Sequence, residues 1–193
     1  LPRVIDKKLL NGKIFKNFFL DIGTPKYFKI SEKKLNNHFN KPAAFLDRDG
    51  VINYDYGYVH KIKDFKFKKG VLKGLEYLIK KHDHIFLITN QAGIAKGIFK
   101  ENYLLLKKNI YISDVQYCPY HPHGKILKYI KKSILRKPGN GMIKNIFKKY
   151  LINKSKSFMI GDKISDKLCS QKSNIKFFYA RENFYTLVKK IIN

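Results

Sequence analysis

Short apolar runs alternate along most of this chain with stretches whose apolar residues fall three and four apart. Ala43–Leu46, His84–Thr89, Asp114–Tyr117, Ser157–Ile160 and Lys176–Tyr179 read as strands. Between them, Val71–Lys81 carries Val71, Leu72, Leu75, Leu78 and Ile79 at helical spacing. Lys100–Lys108, Met142–Tyr150, Ser165–Gln171 and Glu182–Ile192 read as further helices, and 54–67 and 118–138 as irregular segments. Such alternation predicts an α/β fold whose mainly parallel sheet is covered on both faces. In sheets of this kind ligands bind outside the carboxyl ends of the strands.

Residues 1–40 hold no complete α/β unit. Lys16–Ile22 is a strand-like run ending in a Gly-Thr-Pro turn, and Lys26–Phe39 suggests a short helix. With Asn40-Lys41-Pro42 as the boundary, the expected division is an appendage over 1–40 and a main domain over 41–193. The run beginning at Leu1 lacks the apolar core of a signal peptide. No apolar run approaches the roughly 20 residues of a membrane span. Two cysteines, Cys118 and Cys169, make no disulfide framework. A cytoplasmic protein is expected, with no membrane partner and a monomer favoured.

The net charge of +27 changes the picture less than its size suggests. Its lysines are spread over nearly the whole length, whereas a nucleic-acid footprint should cluster. A dedicated nucleic-acid surface is therefore not expected, although a positive field would attract small phosphorylated substrates. Acids are scarce, 14 in all, yet Asp47, Asp49, Asp55, Asp162 and Asp166 fall in two short segments. Asp47 and Asp49 leave a strand two residues apart and can converge on one point, and Gly50 permits a sharp turn. The pair can hold a divalent cation through oxygen ligands, or divide the work of nucleophile and general acid/base. Thr89/Asn90, Arg136/Lys137 and Asp162/Lys163 carry further polar groups toward the same rim. The set suits phosphoryl transfer through an aspartyl intermediate, with Mg²⁺ and Lys137 offsetting the negative charge and Thr89 bonding the phosphoryl oxygens.

The segments Asp47-Arg-Asp-Gly-Val-Ile-Asn, Ile88-Thr-Asn-Gln-Ala-Gly-Ile-Ala-Lys-Gly, Arg136-Lys-Pro and Met159-Ile-Gly-Asp-Lys-Ile-Ser-Asp resemble the four motifs of the haloacid dehalogenase superfamily. Asp55-Tyr-Gly-Tyr-Val-His and Tyr117-Cys-Pro-Tyr-His-Pro point to its branch of D-glycero-D-manno-heptose 1,7-bisphosphate 7-phosphatases and the related histidinol-phosphatases. The resemblance implies a Rossmannoid three-layer sandwich without a large cap domain. It implies Asp47 as nucleophile and Asp49 as general acid/base. Mg²⁺ would be bound by Asp47, the main-chain carbonyl of Asp49 and Asp162. Thr89 and Lys137 would stabilise the phosphoryl group. Arg48, Asn90, Gln91, Arg136, Lys163 and the loop Asp55, Tyr56, Gly57 and Tyr58 would bind a small phosphorylated sugar.

The family's zinc loop departs from its pattern here. Cys118 is kept, but Tyr120 stands at a His position, and Ser133 and Leu135 stand at two Cys positions. Structural zinc prefers four N/S ligands, so no zinc is expected, despite His121 and His123 nearby. The loop would then be held by packing of Ile126, Tyr129, Ile130 and Ile134. The segment from Gly97 to Cys118 is also shorter than the family's usual helix and strand. Phe18–Phe28 resembles the closing segment of sugar-phosphate nucleotidyltransferases, without their nucleotide-binding motif. The expected function is Mg²⁺-dependent hydrolysis of heptose bisphosphate to the 1-phosphate, in heptose or surface-polysaccharide precursor synthesis. The alternatives are a histidinol-phosphate phosphatase, a decayed copy, or a basic nucleic-acid-associated protein on the same fold.

Overall fold

The three inner strands of the sheet are too apolar to face water, and helices cover them on both faces. In the computed structural model the described residues are 5–7, 12–81, 84–100 and 112–193. The chain divides into two units, residues 1–35 and 36–193. In the first, helix α1 begins at Pro25 (Pro25–Phe39 in full), where Thr24 Oγ1 accepts from Tyr27 N at 3.3 Å. Lys16–Ile22 is irregular rather than the expected strand. Strand-forming side chains alone do not make a strand; an extended segment also needs a regular ladder of main-chain bonds.

In the second unit five strands, β1 (Ala43–Leu46), β2 (His84–Asn90), β3 (Asp114–Cys118), β4 (Phe158–Gly161) and β5 (Lys176–Tyr179), form one sheet in the order β3-β2-β1-β4-β5. All four pairings are parallel. Leu46 lies beside Leu87 and Ile160, so the central strand delivers its carboxyl end between those of β2 and β4. The helices are α2 (Val71–Lys81), α3 (Ala92–Ala95), α4 (Gly141–Lys149), α5 (Ile164–Gln171) and α6 (Phe184–Ile192). The expected Lys100–Lys108 helix, apart from Lys100, lies outside the described residues. Helix α6 starts later than its apolar spacing suggests, because the Asn183 side chain accepts from Tyr185 N and Thr186 N.

Alternation along β1 sorts the core into two layers. Ala44 and Leu46 pack with Leu75 and Leu78 of α2 and Leu187 and Val188 of α6. Ala43 and Phe45 pack with Met142, Ile143 and Ile146 of α4 and Cys169 of α5. The three-layer α/β sandwich expected from the sequence is what forms. Among the described residues no helix is long and apolar enough to cross a membrane. The loop between β3 and α4 is not held as expected. Of its four proposed anchors only Tyr129 is buried, against Ile94, Ala95 and Phe99. Ile134 is 73% exposed. The loop is held instead by main-chain hydrogen bonds, including Lys125 N and Ile126 N to the Ala95 carbonyl at 2.6 and 3.0 Å.

Phe45 is fully buried, with its ring 5.3 Å from that of Phe86 and 6.0 Å from that of Phe147. Phe45→Ala should lower unfolding free energy by about 3–5 kcal/mol, read as a shift of the urea midpoint at unchanged slope.

Candidate active site

The carboxyl end of β1 turns at once into the site. Asp47 N still bonds the Ile160 carbonyl at 3.0 Å, so the nucleophile candidate is fixed by the sheet. The next turn closes on the Arg48 carbonyl, which accepts from Ile52 N at 2.8 Å and Asn53 N at 3.1 Å. Gly50 adopts a φ of +83°, and a Cβ there would collide with the Asp162 carboxylate. Glycine thus meets both a left-handed backbone and the close approach of an acid.

A pocket of about 480 Å³ opens at this rim. Its walls bring together Asp47, Asp49, Thr89, Asn90, Gln91, Arg136, Lys137 and Lys163 with Asp55, Gly57 and Tyr58 of the following loop. Three sequence-selected residues are outside the pocket wall. Arg48 is buried and turned away from the cavity, its guanidinium bound to Asp49 and to the Val59 carbonyl. Tyr56 is 64% exposed and stacked on Tyr54. Asp162 does not line the pocket, but one of its oxygens lies within 4.8 Å of one of Asp47.

Lys137 is the electrostatic centre. Its Nζ lies 2.9 Å from Asp47 Oδ1, 2.6 Å from Asp166 Oδ1 and 3.0 Å from the Ile88 carbonyl oxygen. The Ile88 contact is a hydrogen bond, while the two carboxylates hold the ammonium as ion pairs. Lys137 reaches this point from a loop, not a strand end. Asn90 anchors it there, accepting from Lys137 N at 2.9 Å and donating to its carbonyl at 3.1 Å. Asp166 was absent from the residues selected by sequence. One of its oxygens caps α5 through Lys163 N at 3.0 Å and the other holds Lys137. Its position four residues past Asp162, in the acid-poor chain's second acidic segment, was the available signal.

Asp47 Oδ1 also accepts from Arg48 N at 2.7 Å, so its hydrogen bonds among the described residues converge on one oxygen. Burial pushes the Asp47 carboxyl up to about 6; Lys137 opposes this and Asp166 adds to it. Burial works to lower the Lys137 ammonium, but Asp47 and Asp166 more than offset it and hold it above its usual value. Burial also raises the Asp162 carboxyl. At the mouth, Lys163 Nζ meets Asp55 Oδ2 at 3.0 Å, and Lys96 Nζ donates to the Tyr58 hydroxyl at 2.6 Å.

Asp47, Asp162 and Asp166 each offer an oxygen within 4.8 Å of the others. Asp162 Oδ1 is buried without a hydrogen bond. Three carboxylates face the buried Lys137 and, 3.9 Å from Asp162 Oδ2, the half-exposed Lys163, so the carboxylates outnumber the ammonium groups, and an orphaned buried oxygen suits a hard divalent cation. The Asp49 carboxylate stands outside the cluster, bound by Arg48, Asn53 and Gln91.

Residues 43–186 match the family model described as polynucleotide kinase 3 phosphatase. The chain belongs to this phosphatase family. Within it, the chain is 42% identical over 135 residues to D-glycero-beta-D-manno-heptose-1,7-bisphosphate 7-phosphatase of Photorhabdus laumondii, covering 65% of this chain and 72% of that one. The alpha-specific 7-phosphatase of the same organism is 39% identical over 148 residues, 72% and 81% of the two chains. The D,D-heptose 1,7-bisphosphate phosphatase from B. bronchiseptica, solved with magnesium and phosphate, superposes with a TM-score of 0.60 at 20% identity. That superposition spans 78% of this chain and 97% of the other; a HAD-like phosphatase from Mesorhizobium loti superposes with a TM-score of 0.67 at 22% identity over 80% and 88% of the two chains, and the expected haloacid-dehalogenase-like fold is borne out.

The raised Asp47 carboxyl has a definite sign. The folded protein binds the proton more tightly than the unfolded chain between the ordinary value of 3.8 and about 6, so this group costs stability as pH rises through that window and the cost stays above it. In metal-free protein, the melting temperature of Asp47→Asn relative to wild type should therefore shift in the variant's favour between pH 4.5 and pH 7, whatever the loss of the Lys137 ion pair costs at both. The same difference at both, by scanning calorimetry, would contradict the assignment.

Proposed function

We propose that this protein is a Mg²⁺-dependent phosphatase that converts D-glycero-D-manno-heptose 1,7-bisphosphate to the 1-phosphate, acting as a cytoplasmic monomer in heptose or surface-polysaccharide precursor synthesis. The observation that carries the reading is the buried contact of Asp47 with Lys137, in a family member about 40% identical to enzymes of that specificity. The resemblance of Phe18–Phe28 to the end of a sugar-phosphate nucleotidyltransferase agrees with it, residues 1–40 being a remnant of such a protein.

Asp47, Asp162 and the main-chain carbonyl of Asp49 would hold Mg²⁺, with Asp166 beside them; bound there, the ion offsets the negative charge shared by nucleophile and phosphoryl group. Asp47 attacks phosphorus through the oxygen that Lys137 and Arg48 N leave free. The bond from phosphorus to the sugar oxygen breaks, and Asp49 gives its proton to the departing oxygen. Asp49 then takes a proton from water, whose oxygen attacks the aspartyl phosphate and frees inorganic phosphate, restoring Asp47. Lys137 and the Thr89 hydroxyl bind the charge that builds on the phosphoryl oxygens. Asn90 and Gln91 act beneath this layer: Asn90 fixes Lys137, and Gln91 bonds both Thr89 Oγ1 and Asp49. Arg136, Lys163 and the Asp55–Tyr58 loop take the rest of the sugar. The zinc site of the family is lost, with Cys118 left as a buried thiol against the Tyr120 carbonyl.

Phosphate release should be measured from heptose bisphosphate, histidinol phosphate and 3′-phosphorylated oligonucleotides, with and without Mg²⁺. Heptose bisphosphate should be turned over most efficiently, and only with the metal. A preference for histidinol phosphate or the oligonucleotide replaces the substrate, and no turnover of any of them by folded protein overturns the reading. Asp47→Asn should lower kcat at least about a thousandfold with folding intact. Asp162→Asn should raise the Mg²⁺ concentration for half-maximal rate at least about tenfold, a titration that separates metal binding from chemistry.

A further inference from the structure

Arg48 is the one charged residue among the largest fully buried side chains of the described residues. Its Nε donates to Asp49 Oδ1 at 3.0 Å, and its Nη2 to Asp49 Oδ2 at 2.9 Å and to the Val59 carbonyl at 2.7 Å. Nη1 is buried with no hydrogen-bond partner, so no part of the guanidinium is offered to the cavity. This fork matches the two oxygens of one carboxylate, a geometry that fixes orientation as well as charge.

Two more donors complete the clamp. Asn53 Nδ2 lies 2.9 Å from Asp49 Oδ1, and Gln91 Nε2 lies 3.0 Å from Oδ2. A carboxylate has about four acceptor sites, and here four hydrogen bonds fill them. The three donor residues are not equivalent. Only Gln91 lines the pocket, and its second acceptor, Thr89 Oγ1 at 2.8 Å, lies in the same wall, whereas Asn53 Nδ2 and Arg48 Nη2 also hold the Tyr54 and Val59 carbonyls outside it. A leaving-group oxygen or a water reaching Asp49 from the pocket therefore displaces Gln91, while Arg48 and Asn53 stay behind the carboxylate.

We infer that Arg48 is a positioning residue for the proton transfer at Asp49, and that through Val59 it ties that carboxylate to the loop at the pocket mouth. The inference rests on the phosphatase reading above. Asn53 contributes less, because its single bond to Asp49 fixes one oxygen whereas the Arg48 fork fixes the plane. A purely structural Arg48 would slow all substrates alike. A positioning Arg48 slows those whose leaving oxygen needs a proton.

The test compares kcat/KM for the best sugar phosphate and for p-nitrophenyl phosphate in wild type, Arg48→Met and Arg48→Lys. This parameter reports only the steps up to the first irreversible one, which excludes water attack on the aspartyl phosphate. A sugar alkoxide departs poorly without a proton, whereas nitrophenolate departs unaided. The loss on the sugar phosphate should exceed the loss on p-nitrophenyl phosphate at least about tenfold, within the range that general acid catalysis supplies. Circular dichroism and melting establish folding. If Arg48→Met does not fold, Arg48→Lys decides, since one ammonium cannot span both Asp49 oxygens and the Val59 carbonyl. Equal losses on the two substrates, or no loss, overturn the role of Arg48 while leaving the phosphatase standing. A folded wild type that turns over neither substrate overturns both.

Discussion

A single ammonium group, buried between two carboxylates, is what the rest of this site depends on. Lys137 Nζ has lost its water and recovers it from Asp47, Asp166 and the Ile88 carbonyl. Removing one partner of such a buried pair typically costs about 3–5 kcal/mol, because the other charge is left uncompensated. The arrangement therefore constrains several elements at once. Asp47 must arrive from β1, Asp166 from the first turn of α5, and Lys137 from a loop that belongs to no strand. The Asn90 side chain at the end of β2 closes the circuit by holding the main chain of Lys137 on both sides. Charge needed for phosphoryl transfer also fastens the loop over the sheet.

The interactions at the mouth are of another kind. Lys163 and Asp55 are 56% and 30% exposed at their side chains, so their pairing is screened and worth little. The same holds for Lys96 with Tyr58, whose ring is partly in solvent. Gly57 and Tyr58 both have positive φ, which marks a loop kept in shape by a few local contacts. A deep, tightly paired floor under a weakly strapped rim is a reasonable division. The floor must be preorganised for a phosphoryl group, whereas the rim must admit and release a sugar.

Much of this was legible in the sequence, and the misses have physical causes. An all-apolar strand running into Asp47 and Asp49 identified both the centre of the sheet and the end at which the pocket opens. The same two-residue period should have placed Arg48 correctly. A residue between two pocket-facing neighbours points the opposite way, and Arg48 does. Reading it as a substrate ligand rewarded its charge and ignored its parity. Asp166 was overlooked because its role joins two parts of the chain, a helix cap and a lysine 29 residues upstream, which spacing does not reveal. The anchoring of the loop after β3 was misread for a related reason. Ile126, Ile130 and Ile134 advertise packing, but main-chain bonds to the Ala95 carbonyl hold that stretch, and backbone hydrogen bonds leave no mark on composition.

The substrate is where sequence and structure contribute unequally. In the proposed mechanism Asp47, Asp49, Thr89, Lys137 and Asp162 would process any phosphate monoester that reached them, since each is assigned to the phosphoryl group or the oxygen leaving it. Discrimination must come from groups that see the rest of the molecule. Those are Arg136, Lys163, Asp55 and Tyr58, the cationic and polar residues around a pocket of about 480 Å³. These two cations among the lining residues would favour a ligand with a second anionic group near the first, as a bisphosphate has and histidinol phosphate lacks. A polynucleotide end also carries a second phosphate, but it brings a chain that must leave the pocket along a continuous basic track. A small bisphosphate, by contrast, would meet Arg136 and Lys163 within the pocket itself. The confined pair of cations thus weighs toward the small bisphosphate, for a reason independent of any relative's specificity.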